Sequence, residues 1–298
     1  MVAALSDTPV AALHDRILTW YAANARELPW RHSDCSPWGV LVSEVMAQQT
    51  PLSRVEPIWR EWMQRWPTPA ALAADSPGAA VRAWGRLGYP RRALRLHEAA
   101  TAIVDRFGGE VPRSAPDLLS LPGVGPYTQS AVQAFAFAAR ATVVDTNVRR
   151  VQARLVTGQE QAAPALTRAE SDLATTLLPT EDAAAAGWNV AVMELGALVC
   201  TARTPLCQDC PVQDLCRWVA SGRPAYDGAP RRTQAWHGTD RQVRGEIVQR
   251  LRESTLPLPR RVLESAGPDP DQVDRCLAGL VHDGLIEPVD LDSYALPA

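Results

Sequence analysis

Four of the chain's six cysteines fall in one short stretch, CTARTPLCQDCPVQDLC, at Cys200, Cys207, Cys210 and Cys216, while Cys35 and Cys276 lie far from it. Structural zinc sites usually pair two short knuckles of two cysteines each, and this stretch has a single one, so zinc fits poorly. Thiols that merely fill a core have no reason to cluster, and a reducing cytoplasm argues against disulfides. Four thiolates converging from a compact loop that Pro205 and Pro211 stiffen suit an iron–sulfur cube, in which each iron takes one cysteine.

Two carboxylates stand out next. Glu44 lies in the apolar stretch PWGVLVSEVMAQQT, where spacing alone reads it as a glutamate on a solvated helix face, because Glu is rarely buried without a partner. Asp145 closes the apolar run of VVDTNVRRVQARL and precedes a helix bearing Arg149, Arg150 and Arg154. It reads as an N-cap worth about 1 kcal/mol, at a helix start that favours its ionised form. In LPGVGPYTQSAV, Gly123 and Gly125 let the backbone approach a ligand, and the free amides of the next helix suit a phosphate. From these glycines alone an ordinary helix-turn-helix corner reads equally well. All 30 basic residues are Arg. Arginine favours forked phosphate contacts, and Arg82, Arg86, Arg91, Arg92 and Arg95 form a candidate phosphate track. With no lysine, a Schiff base through a side-chain amine is closed to this chain.

Helices must position these groups. Apolar residues recur at helical spacing, as in Leu13, Ile17, Trp20 and Tyr21, strand-like alternation is scarce before residue 230, and Pro and Gly punctuate the chain into short helices. A length of 298 residues predicts two or three modules. The net charge of −3 gives no global attraction to a polyanion, so any nucleic-acid site rests on local patches. No apolar run reaches membrane-spanning length, and the first residues lack a cationic start and carry Asp7, which predicts a cytoplasmic protein without a membrane partner. Residues 221–238 are polar with several Pro and Gly and read as a linker. Beyond them DRQVRGEIVQRLRES, PRRVLESAG and DQVDRCLAGLVHDG read as helices and LIEPVDLDSYALP as a hairpin. That is the order of a winged helix, whose third helix can enter a major groove; a small packing module without DNA contact reads as well.

The C-x6-C-x2-C-x5-C spacing resembles the cluster loop of the endonuclease III and MutY group of DNA glycosylases. LPGVGPYTQSAV resembles the helix-hairpin-helix of that superfamily and SEVMAQQT the MutY signature, with the motifs in family order between about residue 10 and 220. The resemblance implies a mainly α, two-lobed helix-hairpin-helix DNA glycosylase fold with a 4Fe-4S cluster loop, plus a small C-terminal winged-helix-like α+β module. The glycosylase core would occupy 1–228, with a six-helix lobe and hairpin at 28–134 and a second lobe with the cluster loop at 1–27 and 135–220; 221–238 would be the linker and 239–298 the module.

The same resemblance implies one 4Fe-4S cluster on Cys200, Cys207, Cys210 and Cys216. Glu44, partly desolvated so that it holds its proton nearer neutrality, would protonate the leaving adenine, and Asp145 would stabilise the cationic sugar. Trp30, Arg31, Tyr127 and Asn147 would line the base pocket. Gln48, Gln49, Tyr89, Leu121, Gly123, Val124, Gly125 and Arg203 would meet DNA, with Gln48 wedged into the stack as the base flips out. Tyr127 stands where bifunctional relatives place a Schiff-base lysine, so the implied enzyme is monofunctional. It would be a bacterial cytoplasmic, nucleoid-associated monomer in base excision repair that hydrolyses the glycosidic bond of adenine opposite 8-oxoguanine or guanine in mismatched double-stranded DNA, handing its product to abasic-site repair enzymes. Three departures stand against the MutY pattern: Val190 replaces a Gln or Glu, Thr146 replaces a Gly, and residues 239–298 do not resemble the MutT-like domain that reads 8-oxoguanine. The alternatives are a thymine or uracil glycosylase acting on G mismatches and a non-catalytic iron–sulfur regulator that binds DNA.

Overall fold

The computed structural model describes residues 9–228 and 237–298, so the centre of the expected linker and the first eight residues lie outside the described residues. In chain order the helices are α1 (Val10–Asn24), α2 (Pro37–Ala47), α3 (Leu52–Arg65), α4 (Pro69–Ala73), α5 (Pro77–Ala83), α6 (Arg91–Phe107), α7 (Ala115–Leu119), α8 (Pro126–Phe137), α9 (Thr146–Gln152), α10 (Arg168–Leu177), α11 (Asp182–Leu198) and α12 (Arg217–Ala220). Then follow α13 (Asp240–Glu253), β1 (Leu258–Pro259), α14 (Arg260–Glu264), α15 (Pro270–His282), β2 (Glu287–Pro288) and β3 (Ser293–Ala295).

The punctuation read from the sequence has a physical basis. At the starts of α2, α4, α5 and α7, the side chain of Ser36, Thr68, Ser76 or Ser114 accepts a bond from a first-turn amide, with a Pro at the start of each helix. Proline has no amide to orphan there and is preset for the helical φ, so cap and proline together fix each start.

The chain forms two compact units: residues 9–33 with 125–228, and Asp34–Val124 with 237–298. The core of the first joins Leu13 and Ile17 of α1, Val148 and Val151 of α9, and Trp188, Val192 and Leu195 of α11 to Trp218 near the cysteines. The division falls inside the glycine turn, where 134 was the expected end of the lobe, because Ala131 and Ala134 of α8 pack with Val143 against Ala186 and Met193 of α11.

The second unit is built on tryptophans. Trp62 meets Trp66 and Trp84 edge-on at 4.9 and 5.6 Å, and Trp38 and Trp59 spend their indole N–H groups on the Trp66 and Gly39 carbonyls at 3.1 and 2.8 Å. Its C-terminal module holds the three expected helices and the hairpin, and adds β1 between the first two helices, giving an antiparallel sheet of order β1-β3-β2 with Leu258 opposite Tyr294 and Glu287 opposite Ala295. The module is fastened to α5. Pro297 accepts the Gly78 amide at 2.8 Å where a Cβ on Gly78 would collide with it, Arg252 Nε donates to the Val81 carbonyl at 2.9 Å, and Arg82 donates to the Ser254 carbonyl at 2.7 Å.

Candidate functional site

The four clustered cysteines line one small cavity, partly open to solvent, together with Arg154, Pro205 and Trp218. Among the described residues no group of three or more His, Cys, Asp or Glu is placed to hold a single metal ion. Four thiols lining one cavity are a donor set suited to an iron–sulfur group. Burial pushes the Cys210 thiol up to about 12 and raises Cys216 as well. Thiols so placed become ligands only when a cationic metal core compensates their charge.

Two arginines from the turns after Asp145 hold this loop. α9 runs into a π-helical turn at Ala153–Thr157, and from there Arg154, 2% exposed, donates to the Thr201 and Ala202 carbonyls at 2.7 and 3.1 Å and to Cys200 Sγ at 3.4 Å while lying 4.7 Å from the Trp218 ring centre. Arg150 donates to the Cys200 carbonyl at 2.7 Å, the Gly196 carbonyl at 2.6 Å and Asn147 Oδ1 at 2.7 Å. Asn147 Nδ2 in turn donates to Asp145 Oδ2 at 2.7 Å. A continuous run of hydrogen bonds therefore links the Asp145 carboxylate to the backbone of the first clustered cysteine. It needs Gly196, since a Cβ there would lie 2.7 Å from Asn147 Cβ. Arg203 stands exposed in the loop between Cys200 and Cys207.

Asp145 is the expected N-cap: its Oδ1 accepts the Val148 amide at 2.7 Å. Its electrostatics differ from the sequence expectation. Burial raises its pKa above the ordinary aspartate value and outweighs the opposing bonds from Val148 and Asn147 and the charge of Arg150. Glu44 also departs from the solvated face that spacing predicted. It is 9% exposed, in a helix whose residues Trp38 through Met46 are all buried. The helical spacing was right; α2 has no solvated face at that level. Glu44 belongs to the second unit and Asp145 to the first.

Trp30 is buried in a 3-10 turn, Pro29–Arg31, in the first unit. Arg31 is anchored by a residue that sequence reasoning passed over: Glu194, 0% exposed, accepts from Arg31 Nη2 at 2.8 Å and from Arg26 Nε and Nη2 at 2.7 and 2.8 Å. Burial alone would raise this carboxyl, but the two guanidinium forks prevail and hold it at about 2. The signal was present, since a glutamate inside VAVMELGALVC must be buried and therefore paired. Tyr127, on the first turn of α8, packs with the Ala131 and Val143 cluster.

In the second unit, Gln48, Gln49 and Tyr89 occupy two loops joined by Arg92. Its Nη1 donates to the Val45 and Gln48 carbonyls at 2.9 and 2.6 Å, and its Nη2 donates to Thr50 Oγ1 and the Gly88 carbonyl at 3.2 and 3.0 Å. Gln49 and Tyr89 adopt left-handed φ of 55° and 49°, a conformation rare for such residues and frequent at functional sites. The phosphate track is corrected here: Arg92 and Arg82 turn onto carbonyls, Arg91 and Arg95 pair with Asp283 and Glu98 at 3.3 and 2.6 Å, and Arg86 is exposed. In the glycine turn, Leu121 and Val124 are 3% and 7% exposed, so their side chains anchor the turn. Gly123, at φ 77°, is required because a Cβ would lie 2.7 Å from Arg95 Cβ.

Over 281 residues, 94% of this chain and 94% of the relative, the sequence is 51% identical to an adenine DNA glycosylase of Mycolicibacterium smegmatis. The chain belongs to the adenine DNA glycosylase family. A family member from Mycobacterium tuberculosis, also named adenine DNA glycosylase, is 50% identical over 283 residues, 94% of this chain and 92% of that one. Residues 42–174 match the HhH-GPD superfamily of base excision DNA repair proteins, and 200–216 match the iron–sulfur binding domain of endonuclease III, a span that begins and ends on two of the clustered cysteines. Among solved structures, a thermostable thymine-DNA glycosylase aligns with a TM-score of 0.65 at 29% identity, covering 71% of this chain and 97% of that one. As in other members of the family, the fold is the mainly α helix-hairpin-helix glycosylase fold with an iron–sulfur loop. Among the described residues no helix is long and apolar enough to cross a membrane.

Proposed function

We propose that this chain is a monofunctional adenine DNA glycosylase that acts on adenine opposite 8-oxoguanine or guanine in double-stranded DNA. The observation that carries the reading is the 51% identity running over 94% of both chains. Glu44 is the general acid. Its carboxyl group, removed from water within α2, gives its proton to the departing adenine as the bond to the deoxyribose breaks. Asp145 is the counter-charge: its carboxylate, fixed by the Val148 amide and the Asn147 side chain, stabilises the cationic sugar until water adds to it.

Flipping the adenine out of the stack leaves a gap that Gln48 fills, with Gln49 and Tyr89 on the duplex beside it and Trp30, Arg31, Tyr127 and Asn147 around the base. The backbone of Gly123 and Gly125 and the side chain of Arg203 grip phosphates. Cys200, Cys207, Cys210 and Cys216 hold one 4Fe-4S cluster, which when bound supplies a rigid centre for the loop. The chain contains no lysine, so base release leaves an abasic site uncut by any side-chain amine and passes it to abasic-site enzymes. The enzyme acts as a monomer at the nucleoid.

A second reading is thymine excision from G:T, favoured by the 29% identity to a thymine-DNA glycosylase and by the apolar Val190 on α11. Single-turnover assays on A:8-oxoguanine, A:G and G:T duplexes separate the two. Adenine release that Glu44→Gln slows by at least about a hundredfold, with binding retained, is expected for a general acid. Thymine release with adenine untouched would sink the adenine reading, and a Glu44→Gln rate equal to wild type would sink the assigned acid.

A further inference from the structure

Asp145 ends the run of residues 139–145 between α8 and α9, and this run joins no sheet among the described residues. Its backbone groups still need partners, since a buried carbonyl or amide left unpaired is costly. One side chain supplies two of them. Asn189, 4% exposed on α11, donates from Nδ2 to the Ala141 carbonyl at 2.8 Å and accepts the Val143 amide on Oδ1 at 3.2 Å. Those are the two groups flanking residue 142 that one peptide unit of a neighbouring parallel strand would engage, so the carboxamide stands in for a strand.

The other ties of the run differ in kind. Arg140 Nε donates to the Pro179 carbonyl at 2.8 Å, and the hydroxyl oxygens of Thr142 and Thr175 lie 3.1 Å apart at an exposed site. Both engage side chains of the run and leave its backbone to Asn189. Val143, 1% exposed, packs with Ala131 and Ala134 of α8, so apolar contact sets how deep the run lies while the carboxamide sets its register along α11. Two residues on, Asp145 accepts the Val148 amide and the Asn147 side chain, both at 2.7 Å. The carboxylate is therefore tied ahead by its cap bonds and behind by Asn189. The same helix meets Asn147 at Gly196, so α11 guides both sides of Asp145.

We propose that Asn189 is a positioning residue for excision, its carboxamide setting where the Asp145 carboxylate stands. This rests on the reading of Asp145 as the counter-charge of adenine release. The test reads rate and affinity apart: single turnover on an A:8-oxoguanine duplex with enzyme in excess, and binding to the product duplex with an abasic site opposite 8-oxoguanine, each below the melting transition of the variant used. Asn189→Ala is expected to slow adenine release about 10- to 100-fold, the effect of a misplacement of about 1 Å, while product affinity changes by less than about twofold. Asn189→Ser, whose hydroxyl is too short to reach both backbone groups, is expected to release adenine at a rate between those of wild type and Asn189→Ala. Ile17→Val, which trims the same core from α1, is expected to melt lower and release adenine at the wild-type rate. A wild-type rate in Asn189→Ala would overturn the proposal, and should that protein not fold, a wild-type rate in Asn189→Ser would do so. Equal slowing in Ile17→Val, or a loss confined to affinity, would overturn it as well. Asp145→Asn is run in parallel. Its matching wild type, or a wild type that releases no adenine, would count against the proposed function, whereas a slow Asp145→Asn beside an unslowed Asn189→Ala would count against this inference alone.

Discussion

Glu194→Gln tests the ion-pair network beneath Arg31. The carboxyl held at about 2, against an ordinary glutamate value of 4.5, corresponds to about 3 kcal/mol of stability at 1.36 kcal/mol per pH unit. Arg26 and Arg31 are 36% and 21% exposed, and solvent screening lowers that to about 2–3 kcal/mol. Because the folded-state pKa is depressed, the contribution is complete above the ordinary value of 4.5 and is lost as pH falls towards 2. At pH 3.5 about 1 kcal/mol of it should already be gone. Urea unfolding of wild type and Glu194→Gln between pH 3.5 and 7 is the assay, and taking the difference between the two proteins cancels any acid lability of the cluster that they share. The expected difference is about 2–3 kcal/mol at neutral pH, shrinking as the solution is acidified. A difference constant across the range would show that the variant acts through packing and would refute the electrostatic account.

Arg92→Ala should cost about 2–3 kcal/mol in urea unfolding, because it strips a buried fork from the carbonyls of two loops. Amide exchange should rise most at 47–50 and 87–89, and Arg92→Lys, with a single point donor, should recover little of the loss. The acid arm of the excision rate should lie above the ordinary aspartate range, because Asp145 must be ionised and burial raises its pKa. Asn147→Ala, which removes a bond that lowers that pKa, should move the arm further up in a single-turnover pH profile. Gly196→Ala should lower stability by about 1–3 kcal/mol and slow excision as well, read by melting and single-turnover rate, since its new Cβ would press on Asn147.

Much of this architecture was legible in the chain because the relevant signals are local. Pro and Gly punctuation announced a chain of short helices, and the cysteine spacing announced the loop. Asp145 was recognisable as a cap since capping involves only the next three residues. What escaped depends on partners distant in sequence. Spacing alone read Glu44 as solvated, and only the resemblance took it partly out of water, because the spacing within α2 does not show what covers the helix. Arg92 and Arg82 read as phosphate ligands because nothing nearby in sequence shows that they reach the carbonyls of Gln48 and Ser254. β1 was missed because two residues form no pattern until β3 pairs with them.

Trp218, which lines the cysteine cavity beneath Arg154, gives the chain an optical gauge. An iron–sulfur group seated there would absorb across the indole emission band at contact range, so light from this side chain should dim as the loop is loaded and brighten as it is stripped. Replacing Trp218 with Phe would remove that component while leaving the signal of the tryptophans packed around Trp62, and the difference between the two proteins would follow cofactor occupancy in real time without any added dye.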